Sequence, residues 1–353
     1  MFAKRIAALQ QKMSKLKADA ILIMSPDNVY YFSGYTGTSG YAVITQDTIQ
    51  LLTDFRYLEQ ASSQSAHCEI IDIGNDLYIV LKKLLASAKN IYFEEDYFTY
   101  KQYEKLQNTV TGELLPLAGT IEGLRRIKDE QELTYLRAAA NMADEAFLHI
   151  LKFIKPGVTE LEVAVELEFF MRKKGSQGPS FEFIVASGQR GSMPHGVASD
   201  KKIASGELVT LDFGSIYQGY HSDITRTLAV GQPPADLQKI YNIVFKAQAE
   251  SLAMVKAGMK CKDIDKIARD IISKEGFGDK FRHGLGHGVG LDIHEEPRFN
   301  TSDETVLDEN MVMTIEPGIY IPGLGGVRIE DSVIVKQNGY ELLTKVTKDL
   351  IIL

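Results

Sequence analysis

Two acidic residues lie in a setting that is typical of buried strands. Asp212 follows the largely apolar stretch 208–211, and Asp223 comes eleven residues later. The turn-forming pair Gln218-Gly219 lies between them, so a hairpin would bring both carboxylates side by side. Two close carboxylates repel each other and cannot both stay ionised without a counter-cation. This spacing indicates a cation site, and a lone Asp212 that caps a turn is the alternative interpretation.

Two glutamates repeat the pattern further along the chain. Glu316 ends the apolar stretch 311–315, and Glu330 comes two residues after Arg328. Because strand side chains alternate between faces, Arg328 and Glu330 are predicted to share one face of a strand. Taken alone, such a pair is also typical of a surface ion pair.

Five of the seven histidines fall in one part of the chain. They are His195, His221, His283, His287 and His294. His283 and His287 are four residues apart, but the glycines around them argue against a helix and favour a backbone that approaches a ligand closely. The zinc-peptidase pattern HExxH is absent. Each histidine taken singly is more typical of a hydrogen-bonded structural residue. The prediction of a functional site therefore depends on the five histidines as a cluster.

Four carboxylates and one imidazole together suit a pair of divalent metal ions. Oxygen-rich ligation with a single histidine is typical of Mn, Co or Zn. Four carboxylates contribute four negative charges and two divalent ions contribute four positive charges, which leaves room for one bridging hydroxide. This is the layout of a two-metal hydrolase.

The elements that must position these residues begin with an alternating pattern. In the first ~120 residues, short apolar strand segments alternate with helical segments, which predicts a small α/β domain. The strand segments are 20–24, 42–44, 50–53 and 90–93, and the helical segments are 6–16 and 75–88. The helical start also argues against a signal peptide, because no apolar stretch follows the first charged residues.

A charged stretch at 119–130 is interpreted as a junction between domains 1–122 and 123–353. A surface loop within one domain is the alternative. After it, helices are predicted at 129–155, from Thr159, at 236–256 and at 262–274. Asp129 and Thr159 each have a Glu three residues on, which resembles a capping box. Strands dominate the remainder and predict an α+β domain with an antiparallel sheet; they are 182–186, 209–213, 224–228, 311–315, 327–330 and 332–335.

The composition limits the partners. The 353 residues carry 39 Lys and Arg against 47 Asp and Glu, a formal charge of −8, which argues against nucleic acid. No apolar run reaches the roughly 18 residues that span a bilayer. Cys68 and Cys261 cannot form a disulfide framework and fit a reducing compartment. We therefore expect a cytoplasmic protein with neither a nucleic-acid nor a membrane partner.

Taken together, these residues resemble a known family, the creatinase/aminopeptidase or "pita-bread" peptidases. The resemblance is to its Xaa-Pro peptidases, prolidase and aminopeptidase P, and it covers nearly the whole chain. The matching motifs are MPHG at 193–196, DFG at 212–214, HGLGHGVG at 283–290, EPG at 316–318, VRIED at 327–331 and the N-terminal signature TDFRY at 53–57. The resemblance implies an α/β N-terminal domain plus an α+β pita-bread catalytic domain with a curved, mainly antiparallel sheet.

The resemblance also implies a role for each site residue. The metal ligands would be Asp212, Asp223, His287, Glu316 and Glu330. Asp223 and Glu330 would bridge two divalent ions per subunit, and Glu316 would also relay the proton of the attacking water.

His195 and His294 would bind the scissile carbonyl, by the same resemblance. His283, Arg328 and Tyr320 would line the substrate pocket, although Tyr320 is equally consistent with simple packing. The implied partners are small proline-containing peptides and a second copy of the chain in a homodimer.

Other functions within the same fold are weighed against this one. A methionine aminopeptidase shares the five ligands but usually lacks the N-terminal domain, whereas a metal-free creatinase-like enzyme or a binding module should have lost ligands. Prolidase cleaves dipeptides and aminopeptidase P cleaves longer peptides. The short N-terminal domain leaves no room for a third domain, which favours the dipeptidase over aminopeptidase P.

Overall fold

The computed structural model describes residues 2–353, and the chain divides into two compact units between Arg125 and Arg126. The sequence predicted this division three residues earlier. The difference arises because residues 120–125 form a helix of the first unit. In that helix Ile121 and Arg125 are buried, and Arg125 donates a hydrogen bond of 2.9 Å to Oδ1 of Asn28.

The first unit contains a mixed six-stranded sheet with helices around it. Its strands are β1 (Ala20–Ile23), β2 (Tyr41–Ile44), β3 (Ile49–Thr53), β4 (Glu69–Asp72), β5 (Asn90–Phe93) and β6 (Glu113–Pro116). Its helices are α1 (Phe2–Leu16), α2 (Pro26–Ser33), α3 (Leu58–Gln64), α4 (Leu77–Leu84), α5 (Tyr100–Gln107) and α6 (Thr120–Arg125). The strand order is β4-β3-β2-β1-β5-β6, with β2 antiparallel to both of its neighbours and the other pairs parallel. The predicted α/β domain is confirmed.

The second unit is built on antiparallel sheets. Its helices are α7 (Glu130–Ile150), α8 (Glu160–Lys173), α9 (Ala235–Ala253) and α10 (Cys261–Lys274). Its strands are β7 (Ile184–Ser187), β8 (Glu207–Phe213), β9 (Ile216–Tyr217), β10 (Tyr220–His221), β11 (Ile224–Val230), β12 (Gly286–Gly288), β13 (Glu295–Phe299), β14 (Val312–Ile315), β15 (Gly318–Ile321), β16 (Gly325–Arg328), β17 (Asp331–Lys336) and β18 (Gly339–Leu342). Two sheets, β11-β8-β7 and β13-β12-β14-β17-β18, are accompanied by the ribbons β9-β10 and β15-β16. Every pair of these strands is antiparallel, as predicted.

Each of the two larger sheets has a pair of helices packed on one face. Side chains of α7 and α8 share a buried apolar cluster with β7, β8 and β11. Side chains of α9 and α10 share another with β14 and β17. Among residues 2–353, no helix combines the length and apolar character needed to cross a lipid bilayer.

Helices α7 and α8 begin where the sequence predicted. Asp129 accepts hydrogen bonds from the first turn of α7 while Glu132 bonds back to the Asp129 backbone. Thr159 and Glu162 make the same reciprocal pair at the start of α8. Each box satisfies backbone N–H groups that the first turn leaves without partners, so both predicted capping boxes are confirmed.

The alternation of strand side chains determines which residues are available for chemistry. In β8, Leu211 and Phe213 point into the apolar cluster, so Asp212 between them points away from it. In β14, Met313 and Ile315 belong to the other cluster, and Thr314 points away. At these positions the opposite faces of the two strands carry the polar side chains Asp212 and Thr314.

Candidate active site

A single large cavity in the second unit collects every site residue that the sequence predicted. Its volume is about 970 Å³. The predicted residues that line it are His195, Asp212, Asp223, His283, His287, His294, Glu316, Tyr320, Arg328 and Glu330. They come from the four strands β8, β12, β15 and β16 and from the loops beside them, over more than 130 positions of sequence.

Asp212 and Asp223 reach the cavity from neighbouring strands. Strands β8 and β11 pair antiparallel with Thr225 opposite Asp212, and Asp223 lies just before β11. The chain between the strands turns at Gln218-Gly219, both of which have positive φ. The hairpin predicted from the spacing therefore forms, and both carboxylates are buried.

The tightest group of possible metal donors is Asp223, His287 and Glu330. One atom from each lies within 4.8 Å of the other two. His287 lies in β12, where Nδ1 donates a hydrogen bond of 3.0 Å to the carbonyl of Gly288. Because Nδ1 carries the proton, a neutral ring presents the lone pair of Nε2 to the acidic residues. Nε2 is 3.6 Å from Asp223 and 3.3 Å from Glu316.

Two carboxylate oxygens among the five predicted metal ligands are buried without a hydrogen-bond partner. They are Oδ1 of Asp212 and Oε1 of Glu330. A buried acceptor without a donor is costly, whereas a cation would satisfy it. The donor set, with four carboxylates and one available imidazole nitrogen, fits divalent metal ions.

The position of Glu330 differs from the prediction. It was expected inside a strand, but β16 ends at Arg328 and β17 begins at Asp331. The chain leaves the ribbon β15-β16 here and joins the five-stranded sheet, and the Glu330 N–H donates to the carbonyl of Thr225 at 3.1 Å. Crossing between sheets therefore places the carboxylate of Glu330 beside the β8-β11 hairpin.

Arg328 pairs with Asp212 and not with Glu330. Its Nη2 group bonds directly to Oδ2 of Asp212, and both side chains are buried. The surface ion pair considered from the sequence is therefore absent. Arg328 leaves one oxygen of Asp212 facing the cavity.

Burial and mutual repulsion act together on the acidic residues. Burial raises the pKa of Asp223 well above its usual range, and the negative charge of Glu330 raises it further. Burial also raises the pKa of Glu330, with the charges of Glu316 and Asp212 adding to the effect. Bound cations would reverse both shifts, because positive charge favours the ionised carboxylates.

His283, Tyr320 and Arg328 form one hydrogen-bonded chain on the cavity wall. Arg328 donates to the Tyr320 hydroxyl at 2.9 Å, and that hydroxyl lies 3.0 Å from Nε2 of His283. Nδ1 of His283 donates to the carbonyl of Gly284 at 2.8 Å, so Nε2 accepts from Tyr320. Burial lowers the pKa of His283, which keeps the ring neutral and the direction of the chain fixed.

His195 and His294 approach the cavity from loops. His294 lies just before β13, with its ring edge-on to that of His287 at a centroid distance of 4.5 Å. Burial lowers the pKa of His294, and the neighbouring His287 lowers it further. His195 lies in the loop after β7 and is exposed, so either ring can present an N–H group to a bound ligand.

Two hydroxyl groups that hold the predicted ligands were not predicted from the sequence. Thr225 donates to Oε2 of Glu330 at 2.8 Å, and Thr314 donates to Oε1 of Glu316 at 3.3 Å. Thr314 also accepts from the His287 N–H at 3.0 Å. The sequence contained a signal for both. Thr225 comes two residues after Asp223 and Thr314 two residues before Glu316, and residues two apart in a strand share one face.

Two family models match the chain. Residues 134–337 match metallopeptidase family M24, and residues 5–127 match the creatinase/prolidase N-terminal domain. The first match covers more than half of the chain. The chain belongs to metallopeptidase family M24 and is a metal-dependent hydrolase of peptide bonds. The predicted family and pita-bread fold are confirmed.

Individual relatives are similar along their whole length. An Xaa-Pro dipeptidase of Pyrococcus furiosus is 41% identical over 351 residues, which covers 99% of each chain. The solved structure of an Xaa-Pro dipeptidase from Bacillus anthracis has a TM-score of 0.98, 46% identity and complete coverage of both chains. An X-Pro aminopeptidase from Thermotoga maritima has a TM-score of 0.91 and 36% identity, covering 97% of this chain and 100% of that one.

Proposed function

We propose that the protein is an Xaa-Pro dipeptidase that uses two divalent metal ions, Mn, Co or Zn. One observation carries the proposal. Asp223, His287 and Glu330 converge within 4.8 Å at a large cavity, in a chain that is similar over its full length to Xaa-Pro dipeptidases.

The five acidic and imidazole ligands would be shared between the two ions. Asp212 would hold one ion, and His287 with Glu316 would hold the other. Asp223 and Glu330 would bridge both ions, which is consistent with their mutual proximity and their burial. When bound, such a pair of ions supplies a water nucleophile near neutral pH.

The residues around the ligands would handle the proton and the carbonyl. Glu316 would accept the proton of the attacking water and return it to the leaving nitrogen, held in place by Thr314. His195 and His294 would donate N–H groups to the scissile carbonyl oxygen as it gains negative charge. His283, Tyr320 and Arg328 would orient the substrate as one rigid, hydrogen-bonded wall.

An Xaa-Pro bond requires recognition by shape, because the proline nitrogen carries no hydrogen. The cavity wall includes the apolar side chains Phe181, Ile184, Val197 and Pro322. We propose that this part of the wall packs against the pyrrolidine ring. Replacing proline by alanine removes methylene contacts worth about 1–3 kcal/mol each, so the preference should be strong but not absolute.

A second candidate is aminopeptidase P activity. The similarity to the X-Pro aminopeptidase from Thermotoga maritima favours it, as does the cavity. The cavity volume of about 970 Å³ lies near the upper end of the roughly 300–1,000 Å³ that is usual for ligand pockets. A cavity of this size is large for a dipeptide alone.

The deciding experiment compares Ala-Pro, Ala-Ala and Ala-Pro-Ala as substrates. The protein is stripped with a chelator and refilled separately with Mn, Co or Zn, with the stripped protein as the control. Turnover of Ala-Pro alone, only after refilling, supports the dipeptidase. Comparable or better turnover of Ala-Pro-Ala assigns aminopeptidase P, and equal rates on Ala-Pro and Ala-Ala overturn the preference for proline. Full activity of demonstrably metal-free protein overturns the metal mechanism.

Three finer predictions remain to be measured. They are a native metal among Mn, Co and Zn, a homodimer and a cytoplasmic location. Elemental analysis of protein purified without added metal tests the first. Light scattering coupled to size-exclusion chromatography tests the second, and cell fractionation tests the third.

A further inference from the structure

A buried carboxylate that no ligand role explains lies behind the loop of His195. Glu160 is the first residue of α8, and its side chain is 0% exposed. Its Oε1 atom accepts from the backbone N–H and the hydroxyl of Ser187, at 2.7 and 2.8 Å. Its Oε2 atom accepts from the N–H and the hydroxyl of Ser199, at 3.2 and 2.6 Å. One carboxylate therefore holds two points that are twelve residues apart.

The segment between these points, residues 187–199, carries His195. Arg190, inside the segment, donates from Nε to Oε2 of Glu160 at 2.8 Å and from Nη2 to the carbonyl of Val197. The far side of the segment is held by Arg328, which donates to the carbonyl of Pro194 at 3.1 Å. His195 thus lies between an anchor at the base of the loop and a contact to the cavity wall.

Burying the carboxylate of Glu160 costs free energy of folding. A fully buried carboxylate loses its hydration, and replacing such a charge by apolar packing is often neutral or stabilising. The N-terminus of α8 and the guanidinium of Arg190 offset part of that cost. The side-chain partners of Glu160 all belong to residues 187–199, and this segment reaches the cavity through Pro194, His195 and Val197.

We propose that Glu160 is a positioning residue that fixes His195 for the carbonyl of the substrate. The proposal rests on the proposed function, because it concerns the same reaction. Glu160 contacts neither the ligand group nor the cavity, so it acts through the loop. Backbone bonds from Leu161 to Ser199 and from Glu160 to Lys201 do not depend on the carboxylate. Loss of the charge should therefore shift the loop without detaching it.

The test is Glu160→Gln, combined with His195→Ala. The amide has the same size, but only one oxygen accepts and its NH2 group must face a donor. We expect kcat on Ala-Pro to fall about 10- to 100-fold, since small displacements of a catalytic group have effects of this size. KM should change by less than about threefold, and metal content should be unchanged, because the ligands are not touched.

The double variant shows whether Glu160 lowers kcat through His195. If Glu160 acts through His195, adding Glu160→Gln to His195→Ala should lower kcat by less than about twofold, since coupled residues are not additive. Independent, multiplying losses would overturn the proposal, as would an unchanged kcat in Glu160→Gln. The matched control is Glu162→Gln on the same helix, which removes an exposed charge, keeps an oxygen that can accept in the capping box and should leave kcat unchanged.

Two further measurements keep the proposal testable. Should Glu160→Gln fail to fold, Ser199→Ala removes one donor from the same carboxylate and should show a smaller loss of kcat with the same non-additivity. Hydrogen exchange of residues 187–199 requires no substrate. Faster exchange there in Glu160→Gln but not in Glu162→Gln supports the anchor even if neither proline peptide is hydrolysed, and unchanged exchange overturns it.

Discussion

The hydroxyl of Thr225 donates a hydrogen bond of 2.8 Å to Oε2 of Glu330, while Oε1 of the same carboxylate is buried without a hydrogen-bond partner. The bonded oxygen fixes the orientation of the carboxylate, and the other oxygen is free to bind a cation. Thr225 also accepts from Nε of Arg328 at 3.2 Å. The hydroxyl therefore links the proposed bridging ligand to the cavity wall.

Replacing Thr225 by valine should weaken metal binding while leaving the ligands in place. Removal of a partner that orients a ligand typically costs about 10- to 100-fold in metal affinity. Isothermal titration calorimetry of the stripped protein with Mn or Zn measures the change in metal affinity. Thr210→Val is the matched control, because its hydroxyl is buried and bonds to Thr227. Equal affinities in the two variants would contradict the role of Thr225.

Replacing Glu330 by glutamine should empty the site. If Glu330 bridges both ions, its loss removes a shared negative charge, and metal content and turnover should both disappear without unfolding. Elemental analysis and thermal unfolding check this directly. Glu309→Gln, which removes one exposed carboxylate, should retain both metals. A Glu330→Gln variant with both metals and near-normal turnover would make Glu330 a structural residue.

The strands that the sequence predicted correctly have short apolar runs or apolar residues at alternating positions. All the predicted strands occur, with ends displaced by at most two residues. Strands β4 and β6 were missed because they are the two edges of the first sheet and none of their residues is buried. Helix α7 was predicted to reach position 155 but ends at Ile150.

The residues of the candidate site could be named from the sequence, but their partners could not. The motifs identify acidic and histidine residues by type and order. The pairing of Arg328 with Asp212 crosses between two sheets, and no local pattern encodes it. The same holds for Glu160, which appears in the sequence only as the residue after a helix cap.

Replacing His294 or His195 by alanine should spare the metals and slow the reaction. Each ring would donate to the developing negative charge on the carbonyl oxygen, so kcat should fall by roughly 10²-fold or more. Elemental analysis of both variants should match the wild type. His149→Ala is the control, since that histidine bonds to Glu166 at 2.6 Å outside the cavity. Metal loss in either variant would make that histidine a ligand.

The stability of the metal-free protein should depend on pH through His283. Burial lowers the pKa of this ring in the folded state, whereas the unfolded chain titrates near the usual value of about 6.5. Below that value the unfolded state binds a proton that the folded state refuses, so stability falls as the pH decreases. Thermal unfolding of wild type and His283→Asn between about pH 5 and 8 tests this. A stability difference between them that does not change with pH would contradict it.

Replacing Tyr320 by phenylalanine separates an orienting role from simple packing. Phenylalanine keeps the ring in contact with its neighbours but removes the hydroxyl that joins Arg328 to His283. Loss of one partner leaves buried polar groups unsatisfied, which costs about 1–3 kcal/mol, or roughly 5- to 150-fold. We expect this cost in the free energy of unfolding, and a fall in kcat/KM for Ala-Pro because Arg328 and His283 lose the hydroxyl that joins them, with metal content unchanged.

The matched control for Tyr320→Phe is Tyr241→Phe. Tyr241 is also buried, and its hydroxyl donates to the carbonyl of Lys348 at 2.6 Å. That variant should lower the melting temperature without changing kcat/KM, because Tyr241 does not line the cavity. Unchanged kcat/KM in Tyr320→Phe would show that the ring, and not the hydroxyl, is what the cavity wall requires.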